Sequence, residues 1–310
     1  MERERRNLGT VLVEGIMGLL ARLPLRFHLA CGKFAAWIMC DVMHYRRSVV
    51  MINLARSYPE MKYGELEELC RKTYRHLGEI FAEAVWFGGC KGEKGRRKLY
   101  DSHIVEIVNP EVINALYDTD CSTMLLMSHC GNWELIGGLQ CYSHNPDEPF
   151  KWSHREFAVV YKRLHSKLWD RVMRDNRCAP VSDRDFDGYK ESADVLRFIV
   201  GNRRRKFLYL FNTDQYPYEG SATYNVGEFM HQDTLAMTGA VSLAHKLGMN
   251  VCYVRWRSLE GGRYTVEFVP LCSGGSGETP EHLMDMFYAE LEKDLNAQPW
   301  NYLWTHKRWK

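Results

Sequence analysis

Four short apolar runs, Thr123–Met127, Phe157–Tyr161, Phe207–Phe211 and Val251–Trp256, recur along the chain with helix-length segments near 133–142, 164–176, 188–201 and 234–247 between them. Strand followed by helix, repeated, buries its hydrophobic surface as a parallel sheet with helices on its faces. The pattern therefore predicts an α/β fold: a mostly parallel central sheet flanked by helices. Residues 251–256 and 264–269 flank SLEGGR, where Gly261-Gly262 suits a hairpin turn, so one strand pair is expected to be antiparallel. Leu66, Leu69, Thr73, Leu77, Ile80, Phe81 and Val85 fall at helical spacing and predict a long amphipathic helix over 64–88. A last helix is expected to open at Thr279-Pro280, with Thr as N-cap and Pro at the first helical position. The basic run Lys94–Lys98 and the GGSG stretch at 274–277 read as solvated connections.

Residues 11–43 are strongly apolar, yet Glu14, Arg22, Arg26, Lys33 and Asp41 interrupt them. A membrane-spanning helix wants about 20 nearly uninterrupted apolar residues, so this stretch does not read as one, and Pro24 divides it into two helices. Two readings stay open: a pair of core helices, or a membrane-associated segment lying in the interface with Arg22, Arg26, Lys33, Arg46 and Arg47 near lipid phosphates. The domain expectation is an N-terminal amphipathic, membrane-associated segment over 1–48 and an α/β domain over 49–310.

Composition narrows the function classes. With 310 residues, 45% hydrophobic and 26% charged, the chain is globular rather than disordered or fibrous. Lys and Arg number 41 against 39 Asp and Glu, which leaves no global basic field and argues against a nucleic-acid binder. None of the ten cysteines forms a C-x-x-C pair, so they read as free thiols in a reducing compartment. MERERRNLGT carries no secretory signal pattern, which sets the expected location in the cytoplasm or on its side of a membrane.

The chemistry concentrates at 124–138, MLLMSHCGNWELIGG. His129 is expected at the carboxyl end of a strand, where open α/β sheets bind ligands. Asn132 is a good N-cap for a helix starting at Trp133, with Glu134 in its first turn. With His129 in the loop and Glu134 on that turn, the two side chains can converge, and a carboxylate beside an imidazole makes a general base. A helix cap with a buried, hydrogen-bonded histidine is the other reading. Asp214, after the strand at 207–211, is either a second site residue or a turn-forming aspartate.

HCGNWE, together with the closing NAQPWNYLWTHKRWK, resembles the lipid A biosynthesis acyltransferases of the lysophospholipid acyltransferase superfamily. VVYKRLHSKLWDRVMR at 159–174, NTDQ at 212–215, FMHQDTLAMTGAVSLAHKLG at 229–248 and YRRSVVMINLARSYPE at 45–60 are similar to that family's further segments in the same order. The resemblance implies that His129 takes a proton from an acceptor hydroxyl or amine, that Glu134 orients it, and that the acceptor attacks an acyl thioester without a covalent enzyme intermediate. It implies substrate-binding roles for Asn132, Tyr161, Lys162, Arg163, Asp214 and Gln215; Tyr161-Lys162-Arg163 departs from the family's Tyr-Arg-Pro. Cys130 is read as packing. No metal and no cofactor are expected. The implied donor is acyl carrier protein or acyl-CoA, and the implied acceptor a lipid, foremost a lipid A precursor. Another amphiphile such as an aminolipid or lysophospholipid is the alternative acceptor. The implied place is the cytoplasmic face of the bacterial inner membrane. An acidic carrier would dock on a basic run, Arg203–Lys206 or Lys94–Lys98. The competing classes are a metal-dependent hydrolase using His129, Glu134 and Cys130, His103 or His144, and a non-catalytic membrane scaffold.

Overall fold

The structure is a computed structural model that describes residues 8–164, 166–181, 186, 188–274 and 277–310. His165 within the 159–174 segment, the first seven residues and half of the GGSG stretch lie outside the described residues. The chain opens with α1 (Leu8–Leu20) and α2 (Leu25–Trp37), separated at Pro24 as the sequence predicts. α3 (Arg47–Ser57) leads into the long α4 (Tyr63–Phe87), whose first turn is closed by the Glu65 carboxylate accepting from the Lys62 backbone N–H at 2.7 Å. α2 crosses α4 where Gly32 faces Gly78. A Cβ on Gly32 would lie 2.6 Å from the Gly78 carbonyl, so only glycine permits the approach.

The remaining elements are α5 (Gly92–Ser102), β1 (Val105–Ile107), α6 (Pro110–Asp118), β2 (Thr123–Met127), β3 (Phe157–Tyr161), α7 (Lys167–Arg177), β4 (Tyr189–Glu191) and α8 (Val195–Gly201). They are followed by β5 (Leu208–Asn212), β6 (Thr223–Phe229), β7 (Gln232–Met237), α9 (Gly239–Leu247), β8 (Asn250–Leu259), β9 (Arg263–Cys272) and α10 (Pro280–Ala297). Seven strands form one sheet in the order β1-β9-β8-β2-β5-β3-β4. Every pairing in it is parallel except β8 with β9, the hairpin that turns at Gly261-Gly262. All five residues of β2 are buried, as a parallel strand covered on both faces requires. α10 begins as expected, with the Thr279 hydroxyl accepting from His282 N–H at 3.1 Å.

Several expected elements resolve differently. The segment 133–142 is a 3-10 helix, Trp133–Cys141, rather than an α-helix. Gly137-Gly138 gives it little α-helical preference, and the absence of side chains there lets it press against the Arg177 backbone and Tyr142. The segment 234–247 begins as β7 and becomes helical only at Gly239. β7 pairs with β6 through a two-residue turn at Met230-His231, both at positive φ, in a separate two-stranded sheet. The segment 188–201 splits into the edge strand β4 and α8, and Lys94–Lys98 lies on α5 rather than in a loop. Among the described residues, no helix is long and apolar enough to cross a membrane.

Candidate active site

β2 and β5 are parallel neighbours with Met127 opposite Asn212. Two residues beyond that last pair, at the carboxyl edge of the sheet, stand His129 and Asp214. The chain leaves β2 toward the β3 side and leaves β5 toward the β8 side, so the edge opens where the connections diverge. That is where doubly wound sheets bind ligands.

Asp214 holds His129 twice. Its Oδ1 lies 2.7 Å from His129 Nδ1, and its Oδ2 accepts from the His129 backbone N–H at 3.1 Å. The carboxylate is only 1% exposed, and burial alone would raise its pKa. The His129 charge and the two hydrogen bonds outweigh that and hold it below the usual aspartate range. An ionised Asp214 accepts the proton at Nδ1, which leaves Nε2 as the basic nitrogen. Gln215 places its amide nitrogen 3.2 Å from Nε2. The Trp133 indole meets the imidazole edge-on at 5.0 Å between centroids.

The carboxylate that these contacts bring to His129 is that of Asp214, and Glu134, to which the resemblance gives the orienting role, is placed otherwise. Glu134 turns away and binds Arg177 through both oxygens, at 2.5 Å each, while the Trp133 indole N–H donates to the same carboxylate at 3.1 Å. Burial works against the Arg177 charge, but the adjacent carboxylate prevails and raises the guanidinium above its ordinary range. Trp133, which donates to Glu134 and meets the imidazole edge-on, lies between Glu134 and His129. Its place in the first turn is as expected, with its backbone N–H donated to Asn132 Oδ1 at 3.1 Å.

Asn132, to which the resemblance gives a substrate-binding role, makes its hydrogen bonds within the protein. It is fully buried, and besides capping Glu134 it donates through Nδ2 to the Glu83 carboxyl at 2.7 Å. Glu83 also accepts from the Tyr264 hydroxyl at 2.8 Å, and burial pushes its pKa up to about 8 against the pull of these two donors. Beside it, His76 is driven down to about 4 by burial, so it is neutral and faces the Gly131 carbonyl at 3.2 Å. The HCGNWE loop therefore rests on a layer of uncharged polar groups supplied by α4.

The tryptophan-rich tail closes the loop from the other side. Cys130 bridges to Tyr302, and Asn301 Oδ1 accepts from Gly131 N–H at 2.9 Å while its amide donates to the Trp256 carbonyl at 3.0 Å. Gly131 has φ +62°, and a Cβ there would stand 2.6 Å from that of Trp256, so the loop needs glycine. Asn53 of α3 in turn holds the tail through the Trp304 and His306 carbonyls. The Cys130 thiol is buried and its pKa raised well above normal by desolvation, which suits packing and not nucleophilic attack.

Sequence reasoning missed two groups. Arg177, 43 residues from Glu134, carries no local signal. His306 in the tail lies within electrostatic reach of both Asp214 and His129; burial brings it down to about 4, and its Nδ1 has no hydrogen-bond partner. Tyr161, Lys162 and Arg163 form none of the contacts at His129. Lys162 lies 4.0 Å over the Tyr218 ring, and Arg163 pairs with Glu191 at 2.7 Å, beside a cavity of about 560 Å³ lined by Tyr161 and Arg174. Among the described residues, no three His, Cys, Asp or Glu side chains cluster as metal ligands, and His103 and His144 stack on one another at 4.0 Å elsewhere.

The family model described as bacterial lipid A biosynthesis acyltransferase matches residues 2–310. No curated protein matches the chain.

Proposed function

Since this chain belongs to the bacterial lipid A biosynthesis acyltransferase family, whose members move an acyl group from a donor to a lipid acceptor, we propose that it does so by general-base catalysis with His129 as base and Asp214 as its orienting carboxylate. The observation that carries the reading is the 2.7 Å contact between a buried carboxylate and His129 Nδ1 at the carboxyl edge of the sheet. His129 Nε2 removes the proton of an acceptor hydroxyl, displacing the Gln215 amide. The oxygen attacks the thioester carbonyl, the tetrahedral adduct collapses with loss of the carrier thiolate, and His129 returns the proton to the sulfur. Asp214 stabilises the imidazolium between these two transfers, and general acid–base catalysis of this kind is worth about 10²–10⁴ in rate.

The donor in this reading is an acyl carrier protein or acyl-CoA thioester, the acceptor a lipid A precursor, and the place the cytoplasmic face of the inner membrane. Exposed apolar side chains on the first two helices support interfacial attachment: Leu12, Ile16 and Leu19 on α1, and Phe27, Phe34 and Trp37 on α2, interleaved with Arg22, Arg26 and Lys33. Each helix has 13 residues and so rises about 20 Å, short of the roughly 30 Å hydrocarbon core, which favours lying on the bilayer. The test is lipid mass spectrometry of cells lacking the gene and complemented with wild type, His129→Ala or Asp214→Asn. Loss of one acyl chain from one lipid class, restored by wild type alone, is the expected result. Equal restoration by all three overturns the base assignment.

A further inference from the structure

An open cavity of about 960 Å³ lies between the start of α2, the end of α4, α5 and the β8–β9 turn. Five cations line it: Arg26, Lys94, Arg97, Lys98 and Arg263, against the single carboxylate of Asp101. Asp101 is already engaged by Arg97 at 3.0 Å. Among the described residues, none of the other four has a carboxylate within ion-pairing distance, and Lys98 sits 4.4 Å over the Trp86 ring. Unpaired like charges around one concavity repel one another and focus a positive potential that an anion relieves. The walls between the charges are apolar, from Leu25, Leu29, Trp86 and Ile104.

The cavity has two neighbours that bear on its occupant. Its rim includes α2, the helix whose Phe27, Phe34 and Trp37 are exposed beside Arg26. Its floor at Gly262 touches the buried network under the active-site loop: a Cβ on Gly262 would lie 3.0 Å from Glu83 Oε1, and Glu83 holds Asn132. A cationic concavity with apolar walls, next to an apolar surface on one side and to the catalytic loop's support on the other, suits a headgroup with attached chains better than the convex face of a carrier protein.

We propose that this cavity binds the phosphate-bearing headgroup of an anionic lipid, the acceptor, with Arg26, Lys94, Lys98 and Arg263 as its anion ligands. The proposal rests on the acyltransferase reading for the word acceptor, but not for the site. Arg and Lys serve different parts of such a ligand: the guanidinium forks of Arg26 and Arg263 pair with phosphate oxygens bidentately, while Lys94 and Lys98 act as mobile point charges.

Titration calorimetry on the full chain in neutral detergent, at low salt, tests it with dihexanoyl phosphatidic acid below its micelle concentration. The comparison ligands are dihexanoyl phosphatidylcholine, inorganic pyrophosphate and coenzyme A. Phosphatidic acid is expected to bind at least tenfold more tightly than any of the three, and an Arg26→Gln/Lys94→Gln/Arg263→Gln variant to lose at least tenfold. All three side chains are exposed, so the variant is expected to melt with the wild type. Equal binding by the triple variant overturns the site. Pyrophosphate or coenzyme A binding as tightly as phosphatidic acid overturns the lipid, and reassigns the cavity to a free phosphate or to the donor. His129→Ala is expected to bind unchanged, which separates the two readings. Binding sensitive to the triple variant in a protein with no acyl transfer would sink the proposed function and leave the site. Transfer with an unchanged acceptor KM in the triple variant would do the reverse.

Discussion

Two buried carboxylates flank the same short loop, and they do opposite things. Asp214 is paired with an imidazole, Glu134 with a guanidinium. An imidazole gains and loses its proton within the physiological range, whereas a guanidinium never does. The Asp214–His129 pair can therefore pass a proton, while the Glu134–Arg177 pair is a fixed, nearly neutral strut at the start of the 3-10 helix, bonded to the Trp133 indole that meets the imidazole. Sequence spacing puts Glu134 nearest the histidine. The fold gives that position to a residue 85 places away.

The largest effect expected from this contrast is in turnover. His129→Ala should lower acyl transfer about 10²–10⁴-fold and also lower the melting temperature, because it strips the buried Asp214 carboxylate of its side-chain partner. Asp214→Asn should fall in the same range, because an amide can present an N–H to Nδ1 and move the proton to the wrong nitrogen. Glu134→Gln should differ in kind: a modest loss of rate, but a destabilisation of about 3 kcal/mol, since it leaves Arg177 with half a partner in a largely buried site. Chemical denaturation beside initial rates separates the two outcomes. If Glu134→Gln abolishes turnover while its denaturation midpoint stays at the wild-type value, the strut is a catalytic group and the contrast collapses. The double variant Glu134→Leu/Arg177→Met sharpens it further. With both charges gone no uncompensated ion remains, so its stability should return to within about 1 kcal/mol of wild type.

The clamp formed by the tail gives the next effect. Asn301→Ala removes the acceptor for Gly131 N–H and the donor to the Trp256 carbonyl, leaving both buried groups unsatisfied. A loss of about 1–3 kcal/mol is expected, with turnover falling because the loop that carries His129 is no longer held. A variant that keeps full stability would show that the tail merely covers the loop.

How much of this was legible in the sequence follows from the range of the forces involved. β2, β3, β5 and the β8–β9 hairpin were readable because a buried parallel strand is a short apolar run and a Gly-Gly turn announces itself locally. α4 and the break at Pro24 were readable for the same reason. β6 and β7 were not, because their turn uses Met230 and His231 at positive φ, where Asn-Gly would have been the local signal. Lys94–Lys98 looked like a solvated loop because nothing in a run of cations says that Arg26 and Arg263 will face it. At the site, His129 and Asp214 could each be placed at a strand's carboxyl end. Their contact depends on β2 and β5 being adjacent with Met127 opposite Asn212, a register that no one-dimensional pattern states. The Glu134–Arg177 pair is hidden in the same way.

The smallest effect on turnover is expected from the layer beneath the loop, where charge has been removed instead of paired. Glu83 titrates near 4.5 when exposed and near 8 in the fold, where burial penalises its anion. Between those values the folded protein keeps a proton that the unfolded chain has released, so stability falls as pH rises through that window. Glu83→Gln mimics the neutral acid, keeping an oxygen for Asn132 and Tyr264 while losing the titration. Its stability relative to wild type should be level near pH 4.5 and climb steadily toward pH 8, with acyl transfer retained. His76, neutral down to about pH 4, contributes the opposite slope, a loss of stability as pH falls from 6.5, and this slope should be the same in both proteins. Denaturant melts at pH 5, 6, 7 and 8 read the difference directly. A flat difference across that range would mean that Glu83 is ionised in the fold, and that the loop above it sits on a buried charge after all.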